Sequence, residues 1–444
     1  MLHAKQHWSF CLTRSFWVSV LILLTFCRSY RHGEAQSLAV VGAEIGDNVR
    51  THVEKLVDRL NSPQLVVRDQ AERDLVNLGP AIIPLLKPRS QLSPEATLRL
   101  DRVRRTLIDQ IVATDPLPTR VSCSVQDVEL SEVVSQITKQ TGNRVTVAEE
   151  LARFPITWDC HDKTFWEAMD ELANLAHGAL EPKESNGFEV VPRKKETAQR
   201  AGTISHWGIF RVELKEYVKT QRGSSEVSFI TLDIMWEPRL HPAVIWLRRI
   251  AFDIGPLTTS GTGEKPSARR EIPVSPGKCY VSVSLPLEEP VPAEWATERA
   301  KGTPVLRGSF EPVLPVGVLD VAFETVDLQK SSRSLVLGDA QIGAEMRRPD
   351  ADSCEVVLRV RYKESCGAFA SHRGWFYSWP VYLELASKRL SPKRVQLLRM
   401  SEDGVELVYQ FDHSGNEAQR FVCTVPVAII RPEIEFQLLL PPEQ

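Results

Sequence analysis

The stretch VSCSVQDVELSEVVSQITKQTGNRVTV (residues 121–147) is followed by PITWDCHDKTFWEAMDELANLAHG (residues 155–178), which repeats its pattern. Each copy has the alternating apolar residues of a strand, followed by a helical stripe of apolar residues. The sequence therefore predicts a twofold βαβ repeat over residues 119–193, closed by a hairpin. Four pairs of positions align at one offset of 35 residues: Val121 with Ile156, Asp127 with Asp162, Leu130 with Phe165, and Ile137 with Leu172.

The densest polar cluster in this repeat is Asp159-Cys160-His161-Asp162. Cysteine, histidine and carboxylates are residue types that bind zinc. However, adjacent residues on a strand point to opposite faces, so one strand cannot bring all four side chains to one ion. Asp162 also precedes the second helix, where a capping carboxylate is expected, and Asp127 has the equivalent place in the first copy. We therefore predict a structural role for this cluster and no metal site.

The repeat also resembles a known domain. Both share a strand, the pattern D-V-x-L, a helix ending in Thr-Gly, and a second helix that begins Phe-Trp-Glu-Ala. These features are similar to the short N-terminal domain of secretins and TonB-dependent receptors. The resemblance covers about 75 of the 444 residues. It implies a periplasmic domain that makes protein–protein contacts and has no chemistry of its own.

Residues 47–112, before the repeat, have the pattern of short helices. Ser62-Pro63 and Ser93-Pro94 each place a capping hydroxyl before a proline at the first helical position. The helical stripes include Val49, Leu75 and Leu98. The phrase SPQLVVRDQAERDLVNLGPAIIPLL (residues 62–86) resembles a HEAT-type repeat. We expect a small helical packing module, with a protein-docking surface as the alternative.

The region after the polar linker RKKETAQRAG (residues 193–202) has the pattern of short strands without intervening helices. Proline- and glycine-containing turns separate these strands. The spacing predicts two antiparallel β-sandwich domains, at residues 203–330 and 331–444. The expected fold class is therefore multidomain α+β: a small helical module, a βαβ-repeat α/β domain and two sandwiches.

Four phrases in the chain are similar to those of uncharacterised exported multidomain proteins typical of planctomycete bacteria. That resemblance extends over most of the chain and brings no activity with it. The phrases are WEPRLHP (236–242), EIPVSPGK (271–278), ASHRGWFY (370–377) and VPVAIIRPEIEFQL (425–438).

The composition and motifs exclude several classes of function. The 54 basic and 57 acidic side chains give a formal net charge of −3, without the basic excess typical of nucleic-acid binding. The sequence contains no Walker loop, HExxH, nucleophile elbow, dinucleotide fingerprint or CxxC pair. We therefore predict no catalytic residues, no cofactor, no metal, no nucleic-acid partner and no identified small-molecule substrate.

One cysteine pair stands out among the six cysteines that follow the N-terminal segment. Cys354 and Cys366 bracket the strand EVVLRVRYK and a turn. We predict a disulfide between them, which would close a short loop and stabilise the fold by roughly 3 kcal/mol. Cys279 and Cys423 are the alternative partners.

The candidate binding loop lies between two predicted strands of the second sandwich. It concentrates polar and aromatic groups, and loops on sandwiches often bind ligands. The alternative, which we favour, is that its tryptophans plug the open end of the sandwich. The residues concerned are His372, Arg373, Trp375, Tyr377 and Trp379.

The N-terminal segment has the pattern of a secretory signal peptide. Lys5 and Arg14 precede the apolar run FWVSVLILLTF (residues 16–26). Thirteen uncharged residues between Arg14 and Arg28 span roughly 20 Å as a helix, less than the ~30 Å hydrocarbon core. Ala35-Gln36-Ser37 is a small-x-small cleavage site, so residues 1–37 are the predicted signal peptide. The alternative is an uncleaved anchor, the one case in which we expect membrane contact.

Together these features predict an exported, periplasmic or cell-envelope protein without catalytic activity. We expect a scaffold or binding protein with protein partners in the envelope. The alternative is a regulatory or docking component of an outer-membrane transport or secretion system. A third hypothesis is an enzyme with a site in the sandwiches.

Protein isolated from the native host is expected to begin at or near Leu38, because cleavage after Ser37 removes the segment before it. N-terminal sequencing checks this. Recovery of protein that still begins at Met1 in a washed membrane fraction would contradict cleavage and support the uncleaved anchor.

Overall fold

The computed structural model shows a chain of mixed helix and antiparallel sheet, which confirms the predicted α+β class. The predicted signal peptide, residues 1–37, lies outside the described part. The described residues are 47–86, 92–184, 186–193, 203–222, 225–253, 270–287, 305–350, 352–386, 388–413 and 418–439.

The N-terminal helices begin close to their predicted start signals. Ser93 caps the third α-helix, since its Oγ accepts a hydrogen bond from the Ala96 amide at 3.2 Å. The second helix begins two residues later than Pro63, because the Ser62 hydroxyl bonds the Gln64 amide instead. The elements are α1 (Asp47–Arg59), α2 (Leu65–Asn77), a 3-10 helix (Pro80–Leu85) and α3 (Pro94–Thr114).

One core joins the apolar faces of these helices. Val53, Leu75 and Val103 are fully buried in it. Two residues expected in the helical stripes are instead exposed, Val49 at 42% and Leu98 at 66%. Leu98 faces outward because it lies on the side of α3 opposite the buried Leu100, Val103 and Leu107.

The repeat forms two small sheets covered by helices, with a strand followed by a helix in each copy. Strands β1 and β3 pair antiparallel. In the second sheet, β5 lies between β2, which is parallel to it, and β4, which is antiparallel. The elements are β1 (Arg120–Glu129), α4 (Leu130–Thr141), β2 (Val145–Val147), α5 (Glu149–Ala152), β3 (Pro155–Thr164), α6 (Phe165–Leu175), β4 (Gly178–Lys183) and β5 (Gly187–Pro192).

Asp127 and Asp162 do not cap the helices as predicted. Both have positive φ, 53° and 51°, and both lie where the register between β1 and β3 shifts. Aspartate tolerates this left-handed conformation better than most residues, so each Asp turns the strand at a bulge. Thr164 caps α6 in a capping box with Glu167, while no side chain caps α4.

Two sheets, which we call the first sheet pair, enclose a core after the repeat. The order of one sheet is β11-β8-β7-β6, and the other contains β10, β9, the first half of β12 and β21. The strands that precede β12 are β6 (Ile204–Trp207), β7 (Phe210–Arg222), β8 (Ser225–Trp236), β9 (Val244–Asp253), β10 (Arg270–Pro273) and β11 (Tyr280–Leu287).

The second sheet pair encloses a separate core. One sheet contains the second half of β12 with β20, β16 and β17, and the other has the order β13-β14-β15-β19-β18. The elements are β12 (Val305–Glu324), α7 (Thr325–Leu328), β13 (Arg333–Leu337), β14 (Ala340–Arg347), β15 (Cys354–Tyr362), a 3-10 helix (Trp375–Ser378), β16 (Val381–Leu385), β17 (Arg389–Leu390), β18 (Arg394–Ser401), β19 (Gly404–Phe411), β20 (Ala418–Ile430) and β21 (Ile434–Leu439).

The predicted division at residue 330 does not coincide with the division between the sheet pairs, because β12 contributes to both pairs before residue 330 and β21 returns to the first. Residues 305–313 of β12 pair with β9, whereas residues 314–324 pair with β20. Strands β20 and β21 follow β12 in one register, from Glu324 opposite Arg420 to Val305 opposite Leu439. Residues 434–439 therefore belong to the first sheet pair.

The helical module packs on this crossing. Leu319 of β12 and Val427 of β20 belong to the helical core together with Ile111 of α3. Gly317 has a φ of 68°, and an added Cβ would lie 2.4 Å from the Val427 side chain and 3.3 Å from that of Ile111. Only glycine therefore fits at position 317.

A buried carboxylate connects the repeat to the first sheet pair. Glu237, which follows β8, has no exposed side-chain surface. Its Oε1 accepts a hydrogen bond from the Thr119 amide at 2.9 Å. Its Oε2 accepts from the Thr119 hydroxyl at 3.0 Å, from Asn143 Nδ2 at 3.1 Å and from Arg239 Nε at 2.8 Å. We call Glu237, Arg239, Thr119, Asn143 and Asp115 the buried hub.

Arg239 extends the hub to the helical module. Its Nη1 donates to the carbonyl oxygen of Asp115, at the end of α3, at 2.6 Å. Its Nη2 donates to the Leu117 carbonyl oxygen at 2.5 Å. The Asp115 carboxylate in turn accepts a hydrogen bond from the Gly317 amide of β12 at 2.9 Å. One connected set of hydrogen bonds thus links α3, the repeat, the first sheet pair and the crossing strand.

A second polar contact and a shared core hold the repeat to the first sheet pair. Arg211 of β7 is buried and bonds Asp170 of α6 through Nε at 2.9 Å and Nη2 at 3.0 Å. Although burial opposes both charges, their attraction lowers the pKa of Asp170 and raises that of Arg211. Trp166 Nε1 donates to the Ile209 carbonyl oxygen at 2.9 Å. The apolar cores of the two parts are continuous.

Replacing Glu237 with alanine is expected to lower the free energy of unfolding by about 3 to 5 kcal/mol, because it removes one of the two carboxylate partners of the buried Arg239 and leaves the Thr119 and Asn143 donors without their acceptor. Chemical denaturation measures the change. The matched control is Glu216→Ala, since Glu216 is exposed on β7. Equal stability of the two variants would contradict the role given to the hub.

Candidate functional site at the junction of the sheet pairs

The loop between β15 and β16 contains the five predicted binding residues, and the structure separates them. Trp375 and Trp379 are only 9% exposed, with ring centroids 5.3 Å apart. Trp375 Nε1 donates to the Ala368 carbonyl oxygen at 2.9 Å, and Phe376 is fully buried. These aromatic residues belong to the core of the second sheet pair, as in the plug interpretation.

Of the other three residues, His372 and Arg373 lie at the junction with the first sheet pair. Tyr377 is 44% exposed, and the His372 side chain is 56% exposed. The Arg373 side chain is only 6% exposed. The loop therefore offers polar groups to solvent beside a buried guanidinium.

Both polar residues bind one carboxylate across the junction. This carboxylate belongs to Glu271 of β10. Its Oε1 is 2.6 Å from His372 Nε2, and the same oxygen accepts a hydrogen bond from Arg373 Nη2 at 2.9 Å. Burial of Glu271 disfavours its charge, but the bonds from His372 and Arg373 outweigh this and lower the pKa of the carboxyl. The pair holds the loop of the second sheet pair against the edge strand of the first.

The strands of the first sheet pair align three side chains beneath the loop. Glu271, Trp246 and Glu311 are register partners on β10, β9 and β12. The Arg373 guanidinium lies 5.6 Å from the Trp246 ring centroid, within the range of a cation–π contact. Glu311 is 7% exposed and pairs with Arg248 at 2.5 Å. The junction therefore brings together a guanidinium (Arg373), an aromatic ring (Trp246) and two carboxylates (Glu271 and Glu311).

Arg373 is the residue of this cluster that packing explains least. Its Nε and Nη1 are buried and have no hydrogen-bond partner among the described residues. Buried donors without an acceptor destabilise a fold. An arginine at such a position therefore indicates a role in binding rather than in stability. The junction cluster, composed of Glu271, His372, Arg373, Trp246 and Glu311, is therefore our candidate functional site.

The chemistry available at this cluster is hydrogen bonding and charge pairing. The nearby thiol is Cys366, and burial raises its pKa, whereas an activated thiol needs a lowered pKa. No group of three or more His, Cys, Asp or Glu side chains in the described ranges is arranged to hold a metal ion. The arrangement fits recognition of a polar partner through hydrogen bonds and charge pairs.

The predicted disulfide between Cys354 and Cys366 is not present, and both are free thiols. The strand β15 runs from Cys354 to Tyr362, about 26 Å at its usual rise. The four residues to Cys366 can return at most about 14 Å. The remaining distance exceeds the Cα separation of about 7 Å that a disulfide tolerates.

The cluster at residues 159–162 is divided between two faces of β3. Cys160 is buried, and its thiol faces the Val121 carbonyl oxygen at 3.6 Å. Asp159 and His161 are exposed on the opposite face, 3.1 Å apart. The alternation of the strand keeps the thiol away from both.

A second concave surface lies on the helical module. A groove of about 390 Å³ separates α2 from α3. Arg99 lies in it and bonds Asp69 at 2.8 Å and Glu72 at 2.7 Å. These pairs satisfy the charges, so the groove resembles a packed ion network more than an open binding site.

Sequence reasoning missed Glu271, Glu237 and Arg239 as residues with a distinct role. Each stands in a phrase quoted above: WEPRLHP contains Glu237 and Arg239, and EIPVSPGK begins with Glu271. Each of these charged residues stands close to apolar residues in the sequence, and this pattern could have identified them.

No family model, curated protein or solved structure matches this sequence.

Replacing Glu271 with glutamine is expected to destabilise the protein most near neutral pH. Because the folded state lowers the pKa of Glu271, its charge stabilises the fold above the unfolded-state value of about 4.3 and loses that effect as the pH falls through the folded-state pKa. Urea unfolding of both proteins at about pH 7 and about pH 3 measures the difference.

The control for this experiment is Glu132→Gln, because Glu132 is exposed on α4, far along the chain from the junction cluster. A difference for Glu271→Gln that is unchanged between the two pH values would show that its ion pairs do not stabilise the junction.

Proposed function

We propose that this protein is an exported cell-envelope scaffold that binds protein partners and has no catalytic activity. The observation that carries the proposal is the buried hub. It connects the helical module, the repeat and the first sheet pair through hydrogen bonds to Glu237 and Arg239. A scaffold must hold its surfaces in a fixed arrangement, and a buried polar network supplies such an arrangement.

The proposed modules are the helical module, the repeat and the two sheet pairs, with residues 305–313 and 434–439 in the first sheet pair. Separate apolar cores support the helical module and the second sheet pair. The shared core of the repeat and the first sheet pair, and the crossing strands β12 and β21, join these modules. We therefore propose that the modules act as one unit and not as independent domains joined by flexible linkers.

The repeat offers the surface that we propose for the partner. Its apolar helix faces are buried, including Ile137 and Leu172. The outer face of α4 carries Glu132, Gln136 and Lys139, all exposed. The three-stranded sheet ends in the edge strands β2 and β4, and edge pairing is a common way to recruit a partner strand.

A second candidate is a docking or regulatory component of an outer-membrane transport or secretion system. The strand–helix order in both halves of residues 119–193 favours it, because that order is part of the resemblance to the short N-terminal domain of secretins and TonB-dependent receptors. The two candidates differ in the identity of the partner.

The described residues include no helix long and apolar enough to cross a membrane. We therefore propose membrane contact only through an uncleaved N-terminal segment.

Placing a photo-crosslinking amino acid at Lys139 in the native host is expected to yield a crosslink to an envelope protein, because Lys139 faces outward on α4. The matched control places it at Lys393, whose side chain is 66% exposed on the second sheet pair. Mass spectrometry of the crosslinked band identifies the partner. A secretin or TonB-dependent receptor would favour the second candidate. Recovery of the protein in the cytoplasm, or equal crosslinking from both positions, would contradict the proposal.

A further inference from the structure

The two cysteines of the repeat lie opposite each other. Cys123 of β1 and Cys160 of β3 are register partners on antiparallel strands. Directly opposite residues on such strands have Cα atoms about 4.5 to 5.5 Å apart, within the range of about 4.4 to 6.8 Å that disulfides adopt. Their side chains also share one face of the two-stranded sheet, because opposite residues point the same way.

The surroundings of the two thiols are consistent with this pairing. Cys123 is half-buried and donates to Gln136 Oε1 at 3.8 Å, while the buried Cys160 donates to the Val121 carbonyl oxygen at 3.6 Å. Both contacts are weak, so a change of side-chain rotamer releases either sulfur. No other two cysteines among the described residues are register partners on paired strands.

We propose that Cys123 and Cys160 are a disulfide site, which links the two halves of the repeat when the protein meets a small-molecule disulfide. The bond would join β1 to β3 directly. It would close a loop that contains α4, β2 and α5, and it would thereby restrict the unfolded chain. In the cell, this bond rests on the export proposed above, since exported proteins meet oxidising conditions.

The reaction is thiol–disulfide exchange in two steps. The Cys123 thiolate, which is the more accessible, attacks one sulfur of oxidised glutathione and releases one glutathione thiolate. The Cys160 thiolate then attacks the Cys123 sulfur and releases the second. Two protein thiols lose two protons and two electrons and form one S–S bond, and glutathione disulfide is reduced to two thiols. Burial raises the pKa of both cysteines, so exchange is expected to be faster at alkaline pH.

The test uses the full-length purified protein, reduced and then exposed to oxidised glutathione at alkaline pH. Free thiols are alkylated, and a tryptic digest is analysed without reduction. Residues 121–139 and 154–163 form separate tryptic peptides with one cysteine each. The expected result is one species in which these two peptides are joined, and its disappearance after reduction.

Cys123→Ser and Cys160→Ser are each expected to abolish the joined species, whereas Cys366→Ser leaves it unchanged. Recovery of both peptides fully alkylated from oxidised wild-type protein would overturn the proposal, as would joining of Cys123 to a different cysteine. Because the wild-type protein gives the main result, poor folding of a variant does not decide it. The outcome is also independent of export, which N-terminal sequencing tests separately.

Discussion

The structure depends on one buried carboxylate and its guanidinium partner. Glu237 and Arg239 lie two residues apart after β8, and together they bond groups from α3, the repeat and the first sheet pair. Removing a charge pair from water costs several kcal/mol per ion unless hydrogen bonds satisfy both groups. That demand is met only when all the partners are in place, so the hub couples the modules to one another.

Chain continuity strengthens the same coupling. The strand β12 contributes to both sheet pairs, and β20 and β21 follow it through the crossing in one register. Gly317 of β12 also donates its amide to Asp115, so the hub and the crossing strand meet at the end of α3. The helical module covers this meeting point with Leu319 and Val427 in its core. This coupling of the modules supports the scaffold function proposed above.

The candidate binding surfaces lie outside the buried hub. The junction cluster places His372 in solvent and Arg373 inside, bridged by Glu271. The repeat buries its apolar helix faces and leaves the polar side of α4 exposed. A disulfide between Cys123 and Cys160 would hold the two halves of that repeat together, on the side of its sheet that faces the helices. Both candidate sites therefore present polar side chains, which is consistent with the proposed binding of protein partners.

The sequence by itself determined the local structure. The period of 35 residues gave the strand–helix order of the repeat, and the start signal at Ser93 gave the beginning of α3. Only the tertiary structure decided the course of β21, the left-handed conformation of Asp127 and Asp162, and the register that places Cys123 opposite Cys160. The physical reason is that helix periodicity and caps act within a few residues, whereas strand register and buried hydrogen bonds join positions that are distant in the sequence, by more than a hundred residues for β12 with β21 and for Thr119 with Glu237. The hydrogen bond between Glu237 and Thr119 joins two residues that only the folded chain brings together.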